Sequence, residues 1–321
     1  MEKNLMWGYL AHLGYNMWAD KDAANIFEGT GSHDIATDYL QFERETWGKV
    51  SDKLAKGGCN TIILDIGEGM VYESHPELAI KGSWTKKEVA DELSRLRSMG
   101  FEVIPKLNFS SSHDEWMGKY SRMVSTPEYY KVCDDLIDEV CELFGNPRLF
   151  HLGMDEEVAS VQQGYTYTVI REGNLYWHDQ NRLFKRVEKN GARPWIWADY
   201  CWHTKKREKW FLENMTKDVL CSIWYYRDFK VLNDWHDDCW NAYELLEKHG
   251  FDQLPTGSNV VMRENLEHII NHTKTTISPE HLEGFMITTW RAMRKENEQR
   301  LLETADIINE SAEKHKDGIY N

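Results

Sequence analysis

The stretch His151-Leu152-Gly153-Met154-Asp155-Glu156-Glu157 sets three consecutive carboxylates, of which Asp155 and Glu156 come first, directly after a short apolar run. On an extended strand His151, Gly153 and Asp155 share one face, and Glu156 points the other way. Both acids reach one pocket only if the chain leaves strand geometry after Asp155. In an ordinary retaining glycosidase the two carboxyl groups stand roughly 5–5.5 Å apart across the glycosidic bond, and are usually drawn from different strands. Adjacent acids suit another division of labour. One protonates the leaving oxygen, while the other orients a substrate group that attacks in place of a protein nucleophile. The plainer alternative is a solvated acidic turn, against which the position at a strand end argues.

Other candidates sit at similar places. Trp290 follows an apolar run, and an indole face can stack on a pyranose while burying its own apolar area; core filling is the simpler use. Trp224, Tyr225 and Tyr226 end another run, where strand parity lets only one of the two tyrosines face a pocket and donate its hydroxyl to a developing oxyanion. Trp197 and Asp199 share parity at a third, and Asp199 could bind a sugar hydroxyl or act as a nucleophile. Asp65 and Glu68 close a fourth. Among the 13 histidines, His113 and His151 fall where a catalytic role is arguable.

These residues need a frame that gathers strand ends on one side. Short apolar runs at 5–10, 61–66, 102–108, 149–154, 195–200, 219–224, 254–260 and 284–289 alternate with helical patterns at 43–56, 85–99, 127–144, 175–190, 206–214, 240–249, 263–272 and 297–313. Thr85 with Glu88 reads as a capping box, and Gly100 as a helix stop. Eight strand–helix units at about forty-residue spacing predict an α/β fold, a (β/α)8 TIM barrel, as one domain spanning 1–321. A doubly wound sheet would carry a Gly-rich first turn, and none is present. In a barrel the chemistry sits where strands give way to βα loops, as these residues do. The loop over 157–176 carries Tyr165, Tyr167 and Arg171.

Composition narrows the function. Lys and Arg total 38 against 53 Asp and Glu, so 38 − 53 = −15, a charge that repels phosphate backbones and argues against a nucleic-acid partner. No run approaches the roughly 18 apolar residues of a membrane helix, so no membrane partner is expected. The N-terminus lacks an apolar export core, which fits a cytoplasmic chain or one whose leader has been removed. Cys133 and Cys141 lie eight residues apart on one predicted helix, roughly 12 Å and too far to bridge. No Cys-x-x-Cys pair occurs, and neither metal nor cofactor is expected. Fourteen Trp and fifteen Tyr suit carbohydrate stacking.

The segment 151–156 resembles the His-x-Gly-Gly-Asp-Glu motif of family 20 glycoside hydrolases, the β-N-acetylhexosaminidases. The likeness extends upstream through His75-Pro76-Glu77-Leu78, Gly82-Ser83-Trp84-Thr85 and Gly100-Phe101-Glu102-Val103-Ile104-Pro105, covering about residues 60–157. It implies a substrate-assisted, exo-acting glycosidase with a carbohydrate substrate. Asp155 would orient the 2-acetamido group, whose carbonyl oxygen attacks, and Glu156 would be the general acid/base. The same resemblance implies His113 as a support for the acid, Tyr225 or Tyr226 as a hydroxyl donor to the acetamido oxygen, and Trp290 beneath the sugar. Trp197, Trp224, Asp65, His151 and Asp199 complete the expected substrate-binding set. The chain departs from the pattern at Met154, where the family has glycine. It departs again at Lys106-Leu107-Asn108-Phe109, and in a first strand without arginine. If Glu156 is the acid, burial and the Asp155 charge should raise its pKa.

Three readings compete with this one. A retaining glycosidase for non-acetamido sugars would use a protein carboxylate such as Asp199. A carbohydrate-binding barrel would have lost catalysis. A metal-dependent hydrolase would draw on His12, Asp65, His113, His151 and Asp199 converging on one ion.

Overall fold

The computed structural model describes residues 4–18, 35–162, 165–227 and 234–320. Eight parallel strands, β1 (Met6–His12), β2 (Thr61–Asp65), β3 (Glu102–Lys106), β4 (Leu149–His151), β5 (Arg193–Trp197), β6 (Leu220–Ser222), β7 (Thr256–Ser258) and β8 (Gly284–Thr288), form one sheet in the order β6-β5-β4-β3-β2-β1-β8-β7. Single parallel bridges from Cys221 to Gln253 and from Trp224 to Thr256 bring its two edges together. The sheet is therefore nearly closed, as a (β/α)8 barrel. The helices α1 (Arg44–Leu54), α2 (Lys86–Ser98), α3 (Pro127–Leu143), α4 (Asn174–Lys189), α5 (Lys205–Asn214), α6 (Asp234–Lys248), α7 (Asn265–Thr276) and α8 (Glu298–Lys314) follow the strands in turn.

The elements form where local chemistry demands them. Thr61-Ile62-Ile63-Leu64-Asp65 is buried at every position, as a parallel strand covered on both faces must be. Helix α3 starts with Pro127 at its first position and Thr126 as its cap, and buries Tyr129, Val132, Cys133, Leu136, Ile137 and Val140 along one stripe. The capping box of α2 is made: Glu88 N–H donates to Thr85 Oγ1 at 3.2 Å and Thr85 N–H to Glu88 Oε2 at 2.8 Å. Cys59, Cys133, Cys141, Cys201, Cys221 and Cys239 are buried free thiols. Among the described residues no helix is long and apolar enough to cross a membrane.

Two features of the sheet position the site. The last residues of β1 to β4 lie in one row, His12 paired to Asp65, Asp65 to Lys106 and Lys106 to His151. A polar layer therefore crosses the C-terminal end of the barrel. In addition, β4 stops at His151, short of the expected 154, because Gly153 and Met154 take φ angles of 72° and 76°.

Candidate active site

The acid pair is built by a left-handed bend. After β4 the chain passes through Gly153, Met154 and Glu156, all at positive φ (56° at Glu156). This departure from strand geometry carries consecutive side chains into one cavity. Only a glycine fits at 153, since a Cβ there would lie 1.9 Å from Asn108 Oδ1. At Met154 the left-handed backbone costs about 1–2 kcal/mol. Its side chain is 1% exposed, and burial returns roughly 1.5–3 kcal/mol, so a methionine is tolerated there.

His113 joins the two acids. Its Nε2 stands 3.3 Å from Asp155 Oδ2 and 3.2 Å from Glu156 Oε2. Behind them, Asn108 Nδ2 donates to Asp155 Oδ1 at 2.8 Å, and Asn108 Oδ1 accepts from the Met154 and Ser110 N–H groups at 3.1 and 3.0 Å. Ser110 Oγ donates to the Asp155 carbonyl, and Ser112 Oγ to that of Glu156 at 2.6 Å. From the other side, Asp199 Oδ2 accepts from the Glu156 N–H at 2.8 Å and pairs with His203 Nε2 at 2.7 Å.

The pair opens into a cavity of about 230 Å³ lined by Met17, Trp18, Asn108, His113, Asp155, Glu156, Trp224, Tyr226 and Trp290. Its walls are aromatic: Trp224 stacks on Tyr226 at 5.1 Å, while Trp18 and Tyr226 each set an edge against Trp290 at 6.0 and 6.3 Å. The loop after β1 supplies Met17 and Trp18. It is tied down by buried Glu68, which accepts from the N–H groups of Tyr15 and Asn16 at 2.7 and 3.0 Å. Tyr15 Oη in turn donates to the Trp290 carbonyl at 3.0 Å.

Several expected site residues lie elsewhere. Tyr225 is 1% exposed, packed against Trp240, so Tyr226 is the tyrosine on the wall. Trp197 lies beneath Trp290 with its centroid 6.1 Å away and no exposed surface, leaving no face for a ligand. His151 is fully buried between Trp195 and Trp197, and its Nδ1 accepts from the Gly153 N–H at 3.0 Å. Asp65 is spent within the polar layer: Lys106 Nζ lies 2.5 Å and His12 Nδ1 3.2 Å from the same oxygen, Oδ2. Asp199 is off the wall, committed to Glu156 and His203. The five residues of the metal-hydrolase reading therefore do not converge. Arg171 is likewise buried, bridging Glu157 and Asp179 and donating to the Phe109 carbonyl.

Electrostatics follow from this packing. Burial alone would lower the His113 imidazole, but the Asp155 charge and the contact with Glu156 outweigh it and raise its pKa to about 9. His113 is then the cation between the acids at neutral pH. The donor atoms of His113, Asp155 and Glu156 fall within 4.8 Å of one another, a spacing that would also admit a cation. Burial, with the charges of Asp199 and Glu156, raises Asp155 to about 6 against the pull of His113 and Lys106. Glu156 keeps 29% of its side chain exposed at the cavity.

The architecture has solved counterparts. An exo-β-N-acetylglucosaminidase of glycoside hydrolase family 20 from Vibrio harveyi superposes with a TM-score of 0.60 at 13% identity, over 94% of this chain and 54% of that one. The fold is similar to the family 20 barrel. The pneumococcal virulence factor StrH gives 0.59 at 16% identity, over 97% of this chain and 84% of that chain. Dispersin B gives 0.56 at 14% over 97% and 98%. A family 53 catalytic domain from Ignisphaera aggregans also superposes, at 0.51 and 9% identity. The chain spans about half the length of the Vibrio enzyme. No family model matches the sequence, nor does any curated protein. At these identities the likeness is one of fold.

Two contributors to the site went unrecognised in the sequence. Trp18 lies in a loop with no periodicity, and its only signal is its place just after the first strand. Asn108 stood out as a departure from the family 20 pattern, but its role needed a partner 47 residues away.

Proposed function

We propose that the protein is a glycoside hydrolase that removes terminal β-linked N-acetylhexosamine by participation of the substrate's own acetamido group. The observation that carries this reading is the convergence of Asp155 and Glu156, consecutive in sequence, on His113 in one aromatic-walled cavity. Among the described residues, Asp155 and Glu156 are the carboxylates that line the cavity, and two adjacent acids suit a reaction in which a substrate group serves as the nucleophile.

Glu156, the more exposed acid, gives its proton to the leaving oxygen as the glycosidic bond breaks. The acetamido carbonyl oxygen closes on the anomeric carbon, forming an oxazolinium ion. Asp155 accepts from the acetamido N–H and balances the charge that develops there, while the Tyr226 hydroxyl donates to the attacking oxygen. Water then opens the ring, losing its proton to Glu156. His113 holds both carboxylates in register throughout, and Trp290 offers its face to the sugar. The fold likeness to family 20 barrels supports the same reading.

The test is hydrolysis of paired aryl glycosides: β-N-acetylglucosaminide and β-N-acetylgalactosaminide against β-glucoside and β-galactoside, with wild type and Glu156→Gln side by side. Turnover confined to the acetamido substrates and lost in the variant is expected. Equal turnover of plain glycosides would overturn the proposal.

A further inference from the structure

We infer that Asn108 is a positioning residue for the acid pair, its side-chain amide setting the plane of the Asp155 carboxylate and locking the bend that aims both acids at the cavity. The inference rests on the reading of Asp155 and Glu156 as the reacting pair.

Asn108 follows β3 and is 2% exposed. Its oxygen accepts from two backbone N–H groups, Ser110 at 3.0 Å and Met154 at 3.1 Å. Two donors must meet an acceptor, so the amide can take only one orientation, with its NH₂ turned to Asp155 Oδ1 at 2.8 Å. Asp155 Oδ2 faces His113 at 3.3 Å. Each oxygen of Asp155 then has its own partner, and the carboxylate cannot rotate. The Met154 contact pins the left-handed residue inside the bend, and Gly153 packs so tightly on the amide that no side chain fits between them.

No other side chain of this shape does both jobs. A leucine supplies neither donor nor acceptor. An aspartate satisfies the two N–H groups but sets a second carboxylate within hydrogen-bond distance of Asp155, and two carboxylates that close retain a shared proton. The remaining charged groups around Asp155 are Lys106 at the end of β3, His113 in the loop after it, Glu156 beside it and Asp199 beyond β5. None of them is altered by a change at 108.

The decisive variant is Asn108→Asp, isosteric with the native residue. The Asp155 carboxyl is titrated by ¹³C NMR without substrate, its signal assigned by loss in Asp155→Asn; kcat and KM are measured across pH on an aryl N-acetyl-β-glucosaminide. The expected result is an Asp155 midpoint displaced upward by at least one pH unit. The acid limb of the rate profile should move with it, and kcat at pH 6 should fall about fivefold or more with KM within twofold. If Asn108→Asp does not fold, Asn108→Ala decides the matter: loss of the donor should still displace the midpoint upward. An unchanged midpoint, or an unchanged kcat profile in an active enzyme, would overturn the inference. Because the titration needs no turnover, it stays informative if acetamido glycosides prove not to be substrates.

Discussion

The carboxylate of Asp199 accepts a 2.8 Å hydrogen bond from the backbone N–H of Glu156. Glu156 sits at a φ of 56°, a conformation that a non-glycine residue keeps only when its surroundings enforce it. Asp199 is part of that enforcement. It acts from the far side of the bend, opposite Asn108, so each acid of the pair is held from a different strand end.

Removing this anchor should be a kinetic event. In Asp199→Ala, the Glu156 backbone is freed to relax, and a displacement near 1 Å at a reacting group costs about 10²-fold in rate. The expected outcome is a kcat some 10–100-fold lower with KM within about twofold. Steady-state kinetics on an aryl N-acetyl-β-glucosaminide measure it; an intact kcat would show that Asn108 and His113 suffice.

His113 predicts how stability responds to pH. Its folded pKa, about 9, lies above the unfolded value of 6.5. Between those values the native state holds a proton the unfolded chain has released. The stabilisation is therefore complete below pH 6.5 and is lost as pH rises through 9, in total on the order of 3 kcal/mol. Asp155, raised to about 6, and Glu68, raised by burial to about 7, act with the same sign at lower pH. Urea unfolding at pH 6.5 and 9.5 should show a fall in wild type and a flatter response in His113→Gln. Equal slopes would place the titrating group elsewhere.

The buried pair Lys106–Asp65 should show strong coupling. Lys106 is 0% exposed, with its ammonium 2.5 Å from Asp65 Oδ2. Lys106→Met alone strands a buried carboxylate beside His12 and should cost about 3–5 kcal/mol. Lys106→Met combined with Asp65→Asn removes both charges and should recover most of that loss. Chemical denaturation of the double-mutant cycle checks this, and simple additivity would contradict it.

Two glycines at nearly the same φ separate backbone strain from packing. Gly153 (φ 72°) and Gly145 (φ 70°) both lie in the left-handed region, yet a Cβ at Gly145 meets nothing within 4 Å. Gly145→Ala should cost about 1–2 kcal/mol of strain. Gly153→Ala adds collision with Asn108 and should cost more than about 3 kcal/mol while abolishing turnover. Thermal unfolding of the two variants side by side gives the comparison; equal costs would mean that the loop at 153 yields.

The sequence alone determined the elements and the place of Asp155 and Glu156 at the end of the fourth strand. Side-chain period and end signals are local, so the eight strands and their helices fall close to their expected places, Thr85 and Glu88 make their capping box, and the strand parity of Asp155 and Glu156 already required a bend between β4 and the cavity. Parity likewise admitted only one of Tyr225 and Tyr226. What it could not choose was which one, because the end of β6 meets both a wall and a core, and packing against Trp240 takes Tyr225 inward. Nor could it choose among the polar residues at strand ends. Register lines up His12, Asp65, Lys106 and His151 in one layer, where Asp65 pairs with Lys106 and His12 beneath Trp290, out of reach of a ligand. Asn108 and Trp18 gained their places the same way, through contacts between loops far apart in sequence. Such contacts depend on closure of the barrel, and no local period records them.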